Sequence, residues 1–302
     1  MLNLLATKNK KLIALGIIII LACLMLWLVW PGDKVLETMK EVTETEVELA
    51  VRSEVIGQSV DGRPIEAYFY GDGEDKLLFV GGIHGGYEWN SVLLAYGMME
   101  QLVETPEMIP SNVMVVVIPS ANPDGLYDVI KKEGRMTSSD IPLTESDAGT
   151  GRLNRNGVDL NRNFDCKWQP SATWRGNEVS AGSAPFSEPE AVALRDFVLE
   201  HNPEVVVFWH SQANAVYASE CQEGILPDTL TLMNTYSSAS GYTPVETFDS
   251  YPVTGDAEGW LASIGIPSVT VEFATHTSID WQKNLAGVTA VLEQYDDTGL
   301  AR

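Results

Sequence analysis

Basic residues are scarce in this chain of 302 residues: Lys and Arg total 19 against 42 Asp and Glu, for a formal net charge of -23. A surface of that sign repels phosphate backbones, so nucleic acid is not expected as a partner. Cysteine is nearly absent, with three residues and no C-x-x-C pair, which argues against a thiolate zinc site. Histidine is limited to four residues, so any imidazole chemistry rests on very few positions. No internal repeat or low-complexity tract is present. What is there is an apolar fraction of 45% and a length suited to one large α/β domain or two small ones.

The longest hydrophobic run, residues 12–30, holds 19 residues without a charge. That is about the length a helix needs to cross a bilayer. Lys8, Lys10 and Lys11 precede it and Pro31-Gly32 ends it, while Trp27 to Trp30 stand where a cleavage site requires small residues. The expected organisation is a cytoplasmic tail (1–11), a transmembrane signal-anchor (12–30), an acidic stalk (31–50) and an extracytoplasmic domain (51–302) held at the cell membrane by a single pass. Cys23 falls inside the run. Cys166 and Cys221 lie beyond it, and two cysteines in an oxidising compartment are expected to form one disulfide.

From Val51 onward, apolar runs alternate with helical stretches, the pattern of a mixed, largely parallel sheet with helices on both faces. Strands are expected over 65–70, 76–80, 113–118, 205–209 and 268–273, most of them continuous apolar runs as in strands buried on both sides. Helices are expected over 88–103, 188–201, 226–239, 257–263 and 281–295, with Ser187 as an N-cap and Glu190 at the capping-box position. The polar segment between Asp128 and Ser187 is long for a compact domain, which marks it as functional.

Four stretches carry chemistry. GVDLNRNFD, from Gly157 to Asp165, places Asn161 and Arg162 side by side. A guanidinium fork matches a carboxylate bidentately, and an adjacent amide adds a neutral donor, a pairing suited to a free C-terminal carboxylate; alone, the same run also reads as a loop with a solvated Arg. GGIHGGYE sets His84 at the end of a strand and Glu88 in the first turn of a helix, at the sheet edge where open α/β folds bind ligands. EVVVFWHS brings His210 to the end of another strand. One or two imidazoles with a carboxylate suit zinc. PSVTVEF ends an apolar strand on Glu272. A carboxylate there is costly unless it has a partner or a task, and activating water as a general base is such a task. Of the other histidines, His201 sits at a helix C-terminus, and His276 is a loop residue less suited than His210 to bind metal.

In combination these positions resemble the zinc metallocarboxypeptidases of the carboxypeptidase A type, over about residues 55–295. The same resemblance takes in Asn122-Pro123-Asp124-Gly125, Arg152 ahead of GVDLNRNF, and Ser187-Glu188-Pro189-Glu190. It implies one Zn2+ ion held by His84, Glu88 and His210. It implies that Asn161 and Arg162 hold the substrate's terminal carboxylate with Tyr251 closing over it, that Arg152 polarises the scissile carbonyl, and that Glu272 activates water. The partner implied is a peptide with a free C-terminus. The family spacing is His-x-x-Glu, whereas three residues separate His84 from Glu88 here. The position that often selects the terminal side chain falls near Glu258. The activity this implies is hydrolysis of the C-terminal peptide bond. An amidase or endopeptidase of peptidoglycan stem peptides is the rival within the class, and a non-catalytic module that captures peptide ends is the rival outside it.

Overall fold

The computed structural model describes residues 51–141 and 149–296. Among the described residues there are twelve strands: β1 (Arg52–Gln58), β2 (Pro64–Tyr70), β3 (Asp75–Val80), β4 (Val113–Ile118), β5 (Ser171–Trp174), β6 (Asn177–Ser180), β7 (Val205–Ser211), β8 (Ala215–Ala218), β9 (Glu220–Cys221), β10 (Gly224–Ile225), β11 (Thr243–Val245) and β12 (Ser268–Phe273). The α-helices are α1 (Trp89–Glu104), α2 (Pro123–Ile130), α3 (Pro189–His201), α4 (Pro227–Ser240), α5 (Ala257–Ser263) and α6 (Trp281–Gln294). Eight strands form one sheet in the order β1-β2-β4-β3-β7-β12-β8-β11. Its centre, β4-β3-β7-β12, is parallel, the β1-β2, β2-β4 and β12-β8 pairs are antiparallel, and the edge strand β11 pairs with β8 in parallel.

Alternate residues along each central strand feed two separate cores. Leu77, Phe79, Val205, Val207, Val269 and Val271 pack on the side of α1, α4 and α6. Leu78, Val80, Val206 and Phe208 pack on the side of α3 and α5. Both faces are covered, which is why these strands read as continuous apolar runs.

The five strands and five helices expected from the sequence are found with ends shifted by at most two residues. The sequence reading missed β1, β5, β6, β8, β9, β10, β11 and α2. β1 and β11 are the edge strands of the large sheet and the other five strands hold two to four residues each, while α2 opens on Pro123 behind Asn122, whose side chain accepts from the Gly125 amide at 2.9 Å. The expected Ser187 cap is corrected. Glu188 is the cap residue of α3 and gives no side-chain cap, while the Ser187 hydroxyl donates to the Glu188 carboxylate at 2.8 Å. Pro189 at the first helical position leaves one fewer amide in need of a cap.

The expected membrane placement is also corrected. Among the described residues no helix is long and apolar enough to cross a membrane. The tail (1–11), the apolar run (12–30) and the stalk (31–50) lie outside the described residues. Length without charge is only one requirement of a span, which also needs a helix that satisfies its own backbone groups, and none of that kind is found among the described residues.

The Cys166–Cys221 disulfide is present, closing a loop of 55 residues. It ties the segment after Asn161-Arg162 to the short β9 strand. The chain-entropy relation gives a stabilisation on the order of 4 kcal/mol for such a loop, an upper-end figure. Replacing both cysteines by alanine is expected to lower the urea midpoint by an amount corresponding to about 2–4 kcal/mol. An unchanged midpoint would show that the bridge leaves the unfolded ensemble unconstrained.

Candidate active site

His84 follows β3, His210 lies near the end of β7 and Glu272 near the end of β12, so three parallel strands deliver them to one sheet edge. Register pairs His210 with Glu272 directly. Between His84 and α1 the chain makes a single 3-10 turn, Gly85–Glu88. Gly85 adopts φ +47°, and a Cβ there would lie 2.6 Å from the Gly151 carbonyl oxygen. Only glycine tolerates both. This tight turn absorbs the additional residue of the His84–Glu88 spacing and brings His84 Nδ1 to 2.9 Å from Glu88 Oε1.

Three candidate ligands of two types, imidazole and carboxylate, converge. His210 Nδ1 is 3.0 Å from Glu88 Oε2 and 3.2 Å from His84 Nδ1. Ligand atoms from His84, Glu88 and His210 all lie within 4.8 Å of one another, and all three residues are buried. A tetrahedral zinc with bonds of about 2.0–2.1 Å has ligand–ligand edges of roughly 3.3 Å, close to the spacings seen. Glu88 Oε2 is buried without a hydrogen bond, a lone-pair donor facing the shared centre. The donor set therefore fits a zinc ion.

Buried carboxylates surround this cluster. Asp159 accepts from Arg152 Nε at 3.0 Å and lies 2.8 Å from the same residue's Nη2, while its other oxygen is 3.4 Å from His84 Nε2. Burial favours protonating Asp159; the Arg152 charge and His84 override it and hold the carboxyl well below the usual range. Glu258, on the first turn of α5, has Oε1 3.3 Å from His210 Nε2. Burial, then the charge of Glu88, pushes the Glu272 carboxyl up to about 7. Its Oε2 is buried without a hydrogen-bond partner. A dication held by the neighbouring ligands favours the ionised form and pulls that value down again.

The cluster opens into a cleft of about 640 Å³ lined by Arg152, Asn161, Arg162, Tyr251 and Glu272, among others. That volume suits a small ligand or a peptide end. Arg152 is fixed by Asp159 and stacks over Trp174, its Cζ 4.5 Å from the ring centroid. Arg155, the other arginine of the RLNR segment, is exposed and paired with Asp61 and Asp128. Asn161 uses its side-chain oxygen to accept from the Ala257 amide at 2.8 Å. Arg162 is 4% exposed, its Nε has no partner, and it forms no salt bridge among the described residues. Tyr251 packs edge-on against Phe248 at 4.7 Å between centroids.

All eight expected cleft residues are thus at one site. His276 is beside it, 2.8 Å from the Ser211 hydroxyl, and outside the three-residue metal cluster. His201 pairs with Glu54 at 3.2 Å and does not line the cleft. Sequence reasoning missed the parts played by Asp159 and Glu258. The signal for Asp159 lay in GVDLNRNF itself, an acid inside a run that also buries Leu160 and Phe164.

The zinc carboxypeptidase family Peptidase_M14 matches residues 35–299. The γ-D-glutamyl-L-diamino acid endopeptidase 1 of Lysinibacillus sphaericus is 27% identical over 74% of this chain, which spans 60% of that protein's length. Carboxypeptidase B of Astacus astacus is 28% identical over 82% of this chain and 79% of its own length. Among solved structures, a murein-tripeptide amidase from Escherichia coli O157 superposes with a TM-score of 0.60 at 25% identity, covering 80% of this chain and 91% of that one.

Proposed function

Because the chain belongs to the zinc carboxypeptidase family, we propose that it is a zinc-dependent peptidase that removes residues from the free C-terminus of peptides. The observation that carries this reading is Arg162. A buried guanidinium that faces a cleft and makes no salt bridge among the described residues, with Asp159 and Asp256 acting on it only at longer range, is a receptor for an incoming anion. A terminal carboxylate supplies that anion, with Asn161 beside it and Tyr251 at the mouth.

His84, Glu88 and His210 are the residues that hold the metal. When bound, zinc supplies Lewis acidity that polarises a carbonyl and acidifies water. Glu272 takes a proton from the attacking water and returns it to the leaving amine. Arg152, immobilised by Asp159 and Trp174, presents positive charge to the carbonyl oxygen as it becomes negative, the kind of preorganised electrostatic contribution that lowers such barriers most. The second reading, cleavage of cell-wall stem peptides, draws on the likeness to the murein-tripeptide amidase. It also draws on Lys167 and Arg175 in the cleft lining, which suit a substrate with further carboxylates.

The metal reading has a direct test. Elemental analysis of the purified protein is expected to give about one zinc per chain, and His210→Ala to lose most of it, since two remaining ligands bind far more weakly. Full zinc in that variant would remove His210 from the site. Product analysis on free-acid peptides is expected to show single residues released one after another from the C-terminus. Release of internal fragments alone would favour the stem-peptide reading.

A further inference from the structure

Resting on the zinc reading above, we propose that Glu258 is a positioning residue for the ligand His210, and not the residue that selects the substrate's terminal side chain. His210 turns Nδ1 toward Glu88 and His84, which leaves Nε2 on the opposite edge of the ring. That Nε2 is buried and has no hydrogen-bond partner. Glu258 Oε1, at 3.3 Å, is the carboxylate oxygen within ion-pair distance of it among the described residues. An imidazole whose Nδ1 lone pair is committed to a metal carries its proton on Nε2. A buried N–H without an acceptor is costly, and 3.3 Å is a small adjustment away from a hydrogen bond.

Glu258 is itself held in place. It is 2% exposed, and its Oε1 accepts from the Thr270 hydroxyl at 2.8 Å. Thr270 stands two residues before Glu272 on β12, in register with Phe208 on β7. One hydroxyl thus ties the carboxylate to the strand that also bears Glu272. The arrangement mirrors the other ligand, where Asp159 lies 3.4 Å from His84 Nε2. Each imidazole is backed by one buried carboxylate. Glu258 also lines the cleft, but its Oε1 is shared between Thr270 and His210, and turning the carboxylate to a substrate strips the imidazole of that acceptor. Backing groups of this kind typically change metal affinity by 10- to 100-fold when removed.

The test measures zinc affinity on the full chain by competition with a chelating dye, alongside terminal-residue preference on peptides ending in Lys, Leu or Glu. Glu258→Ala is expected to weaken zinc binding 10- to 100-fold. Glu258→Gln, which keeps an oxygen acceptor without the charge, is expected to fall between it and the wild type, and Thr270→Val to weaken binding severalfold. The ratios of kcat/KM among the three peptides are expected to stay within about twofold in each variant. If Glu258→Ala does not fold, Glu258→Gln and Thr270→Val still report. Unchanged zinc affinity in these variants beside a tight wild type overturns the proposal alone. A preference for Lys that disappears in Glu258→Gln, with zinc affinity intact, makes Glu258 the selector and overturns it too. A wild type without tight zinc overturns the metal reading and the proposal together.

Discussion

Glu272→Gln is expected to keep its zinc and its fold while kcat drops by roughly 10²- to 10⁴-fold, the usual cost of losing a general base. The structural grounds are specific. Glu272 is in register with His210, one of the three residues proposed to hold the metal, so its carboxylate stands at the same sheet edge as that cluster. Glu272 Oε2 is buried and makes no hydrogen bond, so the amide of glutamine forfeits no bond that stabilises the fold. The substitution removes a proton acceptor and little else. A thermal midpoint within a degree or two of the wild type, full zinc by elemental analysis and a collapsed kcat together constitute the expected result. A variant that retains near-normal kcat would take the base assignment away from Glu272.

The second large effect concerns the substrate's end. With a matched pair of peptides, amidating the C-terminus is expected to cost about 2–5 kcal/mol in kcat/KM, by analogy with removing one partner of a buried charge pair. That is roughly 30- to 5,000-fold. The basis is Arg162, buried, facing the cleft and without a salt bridge among the described residues. Asp159 and the buried Asp256 act on its charge only at longer range, with no ion pair to either. Asp159 is committed to Arg152 and His84, and Asp165 is exposed. Arg162→Ala is expected to lower activity on the free acid and to erase most of the difference between the two peptides. Equal cleavage of both by the wild type means that no terminal carboxylate is read, and the exopeptidase reading then falls.

Arg152 and Arg155 illustrate what the sequence left to be decided. Both precede GVDLNRNF by a few residues. In the structure one is clamped against Asp159 beneath Trp174, and the other is a surface residue paired with Asp61 and Asp128. The resemblance favours Arg152 through its Arg-x-Asn context, but the residues alone do not separate the two, because the difference lies in which carboxylate each meets. Glu258 is a sharper case. The resemblance places it near the selector of the terminal side chain, whereas α5 docks it beside His210 and Thr270.

The sequence by itself determined the central strands, their helices and the residues at their ends. Apolar runs of strand length, glycine turns and helix starts are set by burial and by short-range sterics within a few residues. His84, His210 and Glu272 were legible for that reason, each a polar group at or just after the end of an apolar strand, where burial demands an explanation, and Glu88 through the glycine turn that opens the following helix. The tertiary structure alone decided the partners. Parallel register set Glu272 opposite His210, the Gly85–Glu88 turn closed the longer His–Glu spacing, and the docking of α5 gave His210 its carboxylate. Those contacts join segments far apart in the chain, and their distances follow from sheet order and helix packing, which no window of sequence contains.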